Sequence, residues 1–284
     1  MPEMMVRGVT LHYEVVGEAG PLVSLSPGSR RNYGELVPMA RLLAGYGYRI
    51  LLHDRRNCGA SDVSIEPLGS EYEIWADDLR VLAQELGVSR LYVGGSSSGA
   101  RLAIVFALRH PEALQGLLLW RITGGQHASE TLAERYYGDF ARVAAEGGMA
   151  AVAETPHFRE CIAARPSNRE RLLGMNAETF ISVMQTWRQD FLHAASLPVI
   201  GATEEQLRAL RVPACIMAGN DRVHTPATAR KIAALMPGSE FHDDIVAKRS
   251  DQELLDEWDR MEWRAAEPRM VSVFKEFLSK QAKA

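Results

Sequence analysis

Three consecutive serines stand between glycines in LYVGGSSSGARLAI, residues 91–104. A serine hydroxyl attacks a carbonyl carbon only when a base takes its proton and hydrogen-bond donors meet the developing oxyanion. A tight turn between a strand and a helix suits both needs. It exposes Oγ and turns the first helical N–H groups toward the new negative charge. Such a turn requires small residues two before and two after the serine. With Ser96 at the tip the flanks are Gly94 and Ser98; with Ser97 they are Gly95 and Gly99. Ser97 is therefore the expected nucleophile, and Ser98 the expected source of an oxyanion-binding backbone N–H.

The elements that must hold this turn are legible as a rhythm. Leu22–Leu25, Tyr48–Leu52, Leu91–Val93 and Leu114–Ile122 read as short buried strands. Tyr33–Ala44, Glu71–Leu86 and Ala100–Arg109 read as helices between them. Such alternation predicts an α/β fold with a mostly parallel central sheet flanked by helices. Val9–Val16 alternates and reads as one arm of an edge hairpin.

The rhythm stops at Gly124-Gly125, and only helical patterns follow to about Thr203. Ser167 with Glu170 predicts a capping box, and Asn176 a second N-cap. Strands return at residues 212–221 and at Glu240–Val246, with a helix over Ala227–Met236 between them and one or two helices over Glu253–Lys280. The expected organisation is a core of residues 1–125 and 204–284 and a helical cap, residues 126–203, inserted after the sixth strand. A cap over the carboxyl ends of the strands would roof the edge where open α/β sheets bind ligands.

Composition narrows the partners. Hydrophobic residues make up 46% and charged residues 24%, with a net charge of −4 and scattered basic residues. Neither nucleic acid nor an anionic membrane is drawn to such a surface. The expected partner is a small-molecule substrate, with a homodimer left open. Cys58, Cys161 and Cys215 are too far apart for a zinc motif or a disulfide framework. No nucleotide-binding glycine motif occurs, so neither cofactor nor metal is expected. The first residues lack the apolar run of a signal peptide, which makes the cytoplasm the expected location.

Five stretches, in order, resemble the α/β-hydrolase superfamily: LVSLSPGS, DRRNCGASD, GSSSGARLAIVFALRHPE, VPACIMAGNDRVHTP and MPGSEFH. The resemblance covers nearly the whole chain. It implies a nucleophile elbow at Ser97, an oxyanion loop after the first buried strand, a helical cap, and a triad acid at Asp221. Two departures matter. The oxyanion loop opens with Ser26-Pro27 where the superfamily has His-Gly, and proline has no N–H, so the second oxyanion donor must be Gly28 or Ser29. The superfamily's histidine follows the last strand, and here no histidine occurs after His242.

The base must come from elsewhere, if there is one. His12 and His110 read as structural. His53 sits at a strand end, and His242 reads as early in the last strand, away from the catalytic edge. His127, His157 and His193 lie in the insert, with His127 nearest the sheet. His224 lies three residues beyond Asp221, on the catalytic side of the sheet. It is the leading candidate, although three residues of loop leave its reach to Ser97 open. Arg121, at the end of the strand leading into the insert, and Ser29 and Arg30, in the oxyanion loop, are expected to meet substrate, as is His127. An arginine pair there would suit a carboxylate. The functional expectation is a cofactor-independent serine hydrolase of a small carbonyl compound: an ester, a lactone or a C–C bond. The alternative is a triad-deficient homologue acting as a ligand-binding protein or a non-hydrolytic lyase or isomerase.

Overall fold

The computed structural model describes residues 2–282. Eight strands form one sheet: β1 (Glu3–Val6), β2 (Val9–Val16), β3 (Leu22–Ser26), β4 (Arg49–His53), β5 (Leu91–Ser96), β6 (Leu114–Trp120), β7 (Ala214–Met217) and β8 (Ser239–His242). The spatial order is β1-β2-β4-β3-β5-β6-β7-β8. β1 and β2 pair antiparallel, as do β2 and β4, and every later pair is parallel. The carboxyl ends of β3 through β8 therefore share one edge.

Helices cover both faces, which is why the middle strands are continuous apolar runs. α1 (Val37–Ala44) and the long α11 (Arg260–Gln281) pack on one face with Leu25, Leu52, Leu118 and Met217. α2 (Glu71–Glu85) and α3 (Ser98–Arg109) pack on the other with Leu51, Val93 and Leu119. β3 leads to one face and β5 to the other, yet the two strands are neighbours. The crevice between their carboxyl ends is thus the topological switch point, where open α/β sheets place their ligands.

Between β6 and β7 the chain is helical: α4 (Gln126–Ala133), a π-helical turn (Glu134–Gly138), α5 (Asp139–Ala153), α6 (Pro156–Ala164), α7 (Asn168–Leu173), α8 (Ala177–His193) and α9 (Glu204–Ala209). α10 (Pro226–Leu235) separates β7 from β8. Among the described residues, no helix is long and apolar enough to cross a membrane.

Several local expectations are corrected. Ser167 makes no side-chain cap on α7, because its backbone is already helical there. The capping boxes lie instead at Ser70–Glu73 and Thr203–Gln206, and Asn176 caps α8 as expected. β8 ends at His242, not Val246, so His242 closes the strand at the carboxyl edge rather than opening it. Residues 243–259 form no helix, and a single helix, α11, closes the chain.

Candidate active site

Ser97 occupies the turn between β5 and α3 with φ 55° and ψ −111°. Left-handed backbone is unfavourable for a residue with a Cβ and persists only where the surroundings enforce it. Here they do. A methyl group on Gly95 would stand 2.5 Å from the Ser26 carbonyl oxygen, and one on Gly99 would clash with the same residue. Strand and helix approach too closely for any side chain at either flank. The Ser97 N–H donates to the Trp120 carbonyl at 3.2 Å. Ser98 begins α3, so its own N–H has no intrahelical acceptor.

The loop after β3 lies against this turn; a methyl on Gly28 would be 3.3 Å from Ser97 Cβ. Two side chains fix it. Ser98 Oγ donates to the Ser29 carbonyl at 2.5 Å, and Arg55 Nη2 donates to the same oxygen at 2.7 Å. Arg55 Nη1 also donates to Ser98 Oγ at 2.9 Å, and its guanidinium stacks on Trp75. This buried arginine ties the loop carrying Gly28 to the start of α3. In the sequence alone its stretch, DRRNCGASD, carries only the family resemblance and no role for Arg55.

Asp221 and His224 follow β7 in one tight loop. The Asp221 carbonyl accepts from the His224 N–H at 3.1 Å, closing a β-turn. Asp221 Oδ1 accepts from the N–H groups of Val223 and His224, both at 3.0 Å. The side chain thus folds its own loop back, as aspartate does in turns. The same carboxylate lies 2.8 Å from His224 Nδ1, and His224 Nε2 lies 2.9 Å from Ser97 Oγ. Three residues of loop do reach, because the turn stacks the ring on the carboxylate that precedes it. An acceptor-only carboxylate requires the proton on Nδ1, which leaves the Nε2 lone pair facing the serine hydroxyl.

The stretch after β8, where the resemblance places a histidine, braces this loop. Leu255 bridges it by accepting from the Arg222 N–H at 2.9 Å and donating to the Asn220 carbonyl at 3.3 Å. Asn220 Nδ2 also donates to the Glu262 carboxylate at the start of α11.

All three groups are nearly inaccessible: Ser97 and His224 are 5% exposed and Asp221 1%. Burial and the neighbouring Arg121 charge pull the His224 pKa down to about 4, against the opposing pull of Asp221. The imidazole is neutral at ordinary pH, as a general base must be. Burial alone would raise the Asp221 pKa, but His224 and Arg121 hold it below its ordinary value.

Ser97, Asp221, His224, Ser29 and Arg121 border one cavity of about 350 Å³. His127, Leu132 and Tyr136 roof it from α4 and the following turn, and Trp258 closes its far side. Tyr136 OH donates to Ser29 Oγ at 3.3 Å.

Arg30 is placed otherwise than expected. It is absent from the cavity wall and bound to Glu71 at 2.8 Å, with its guanidinium over Tyr136, Tyr137 and Phe140. The Glu71 carboxylate, at the start of α2, holds it there. Of the other histidines, His12 meets Asp54, His110 meets Asp77, and His157 meets the Asn57 carbonyl. His53 is buried and its ring reaches neither Ser97 nor the cavity.

A family model described as alpha/beta hydrolase fold matches residues 26–253. Among curated proteins, the chain is 34% identical over 124 residues to the proline iminopeptidase of Lactobacillus acidophilus, covering 41% of this chain and 42% of that relative. It therefore spans about two fifths of that protein's length. It is 24% identical over 278 residues to the proline iminopeptidase of Lactobacillus delbrueckii subsp. bulgaricus, covering 86% of this chain and 92% of the relative. Among solved structures it is similar to the enol-lactonase of Burkholderia xenovorans, with 20% identity, a TM-score of 0.64, and coverage of 98% of this chain and 100% of that one. It is also similar to a meta-cleavage product hydrolase of Pseudomonas fluorescens, with 18% identity, a TM-score of 0.66, and coverage of 99% and 98%.

Proposed function

The chain belongs to the α/β-hydrolase fold family, and we propose that it is a cofactor-independent serine hydrolase of small esters or lactones, with Ser97, His224 and Asp221 as its triad. The observation that carries this reading is the continuous chain of contacts from Asp221 through His224 to Ser97 Oγ, at 2.8 and 2.9 Å, inside a cavity sized for a small ligand. It favours this reading over the triad-deficient alternative, which supposes a base out of reach of Ser97.

In this mechanism His224 Nε2 takes the hydroxyl proton as Ser97 Oγ bonds to the carbonyl carbon. The oxyanion meets the N–H groups of Ser98 and Gly28, donors already fixed before the reaction. Collapse breaks the bond to the leaving oxygen, which takes the proton from His224. Water, deprotonated by the same nitrogen, then bonds to the acyl carbon; the bond to Ser97 Oγ breaks, Oγ takes the proton back from His224, and the acid leaves. Asp221 holds the tautomer and stabilises the transient imidazolium.

The test is hydrolysis of short p-nitrophenyl esters and simple lactones across pH. Wild type is expected to turn over at least one class, and Ser97→Ala to be inactive on it. Activity requires neutral His224, so kcat/KM should hold down to about pH 5 and fall as pH drops through about 4. An acid limb near 6.5, the ordinary histidine value, would contradict this placement of the base. A Ser97→Ala variant as active as wild type would contradict the nucleophile.

A further inference from the structure

Arg121 stands apart from the other cations around the cavity. Arg31 pairs with Glu35 at 2.6 Å, Arg222 with Asp256 at 3.0 Å and Arg135 with Glu257 at 3.6 Å. Among the described residues, Arg121 has no carboxylate within ion-pair distance. It is only 4% exposed, and its Nε has no hydrogen-bond partner. Its two polar contacts are long, 3.4 Å to Ser96 Oγ and 3.4 Å to His224 Nδ1. The second is not a hydrogen bond, because the Nδ1 proton points at Asp221 and leaves no lone pair for a donor. Other buried arginines are better served. Arg55 makes contacts of 2.7 and 2.9 Å, and Arg101 donates to Thr123 Oγ1 at 2.9 Å. A buried cation without a partner is costly.

Arg121 also adopts φ 52°, left-handed backbone like that of Ser29 (49°) and Ser97 (55°), the other strained residues on this cavity. The guanidinium carbon lies 4.0 Å from the centroid of the Trp258 ring and 5.7 Å from that of Trp263. One side of the guanidinium is therefore covered by indole, while Arg121 lines the cavity it shares with Ser97. Planar stacking with free in-plane donors is how arginine receives a carboxylate.

Resting on the hydrolase reading above, we propose that Arg121 is the binding site for a carboxylate carried by the substrate, and that this pairing relieves His224 of an adjacent positive charge. The second half follows from position. Around His224 the charges are Asp221 on its own loop, Arg121 after β6 and, farther off, Arg101 on α3; the remaining cations on the wall already have acidic partners. The imidazolium that forms when Ser97 attacks would stand beside Arg121, whose acidic neighbours Asp221 and Glu35 both lie beyond ion-pair distance. A substrate carboxylate on that guanidinium cancels the repulsion at the step where the base takes its proton. Substrate charge thus acts on kcat as well as on KM.

A matched pair of esters tests this: the p-nitrophenyl monoester of glutarate, anionic, and p-nitrophenyl valerate, neutral and of the same acyl length. Wild type is expected to favour the anionic ester by tenfold or more in kcat/KM, with part of the gain in kcat. In Arg121→Gln the preference should collapse to within about twofold, and the acid limb of kcat/KM on the neutral ester should move to higher pH, because His224 loses its cationic neighbour. Equal rates on both esters in wild type, or a preference that survives in Arg121→Gln, would overturn the proposal. Should the variant not fold, free glutarate must still inhibit wild type competitively and glutaramide must not; equal inhibition by both would overturn it. A proline p-nitroanilide, cationic at neutral pH, should be a poor substrate, and its selection over the anionic ester would also overturn it. If no ester is hydrolysed and no inhibitor modifies Ser97, the hydrolase reading itself fails. Hydrolysis without charge preference removes only the role of Arg121.

Discussion

A His224→Ala variant is expected to lose about a hundred- to ten-thousand-fold in kcat/KM while keeping its fold, the range for removal of a general base. The sequence alone makes His224 one candidate among eight histidines. The structure gives it contacts on both sides, Asp221 at 2.8 Å and Ser97 at 2.9 Å. It is not an exposed loop residue, being 5% accessible, so its removal should cost some stability, about 1–3 kcal/mol for a buried polar partner left unmade. Asp221 keeps the N–H donors of Val223 and residue 224, which hold the turn without the ring. Steady-state kinetics with a thermal melt separates the two effects. A loss of less than tenfold would contradict the assigned base.

Gly219→Ala is expected to reduce kcat by about a hundredfold or more without touching any reacting group. A methyl there would lie 2.3 Å from the His224 carbonyl oxygen and 2.6 Å from His224 Cβ. Those atoms are backbone and ring root, so the loop must shift, and a displacement of about 1 Å in a catalytic group is worth about that factor. The double variant Gly219→Ala/His224→Ala distinguishes displacement from general damage. If the methyl acts by moving the ring, it should add little once the ring is gone. Additive losses would show that Gly219 supports something other than His224.

The elbow was legible because its chemistry is local. Gly95 and Gly99 are needed where Ser26 passes them, and that spacing is visible in five letters of sequence. The sheet was legible for the same reason, as buried strands and amphipathic helices differ in period. The histidine was only half legible. Its place on the catalytic edge follows from the strand before it. Its reach depends on a β-turn and a carboxylate that accepts from its own loop, and no spacing rule encodes those. Arg30 and Arg121 read alike in sequence, each just beyond a strand. Glu71, 41 residues away, captures the first, and among the described residues no carboxylate lies within ion-pair distance of the second. Arg55 could have been found only by asking what holds a loop whose proline removes a donor. The stretch after β8 read partly as helix because Glu253–Lys280 is polar and continuous, yet its first residues are spent on bracing Asn220 and Arg222.

The most direct measurement is labelling by a fluorophosphonate, followed by mass spectrometry of the digested protein. The phosphonyl group bonds only to a serine whose proton has somewhere to go, so the adduct reports nucleophile and base together. Wild type should carry one adduct, on Ser97, and His224→Ala should label at least a hundredfold more slowly. No labelling of wild type, an adduct on Ser96 or Ser98 instead, or equal labelling rates in wild type and His224→Ala would contradict a triad of Ser97, His224 and Asp221.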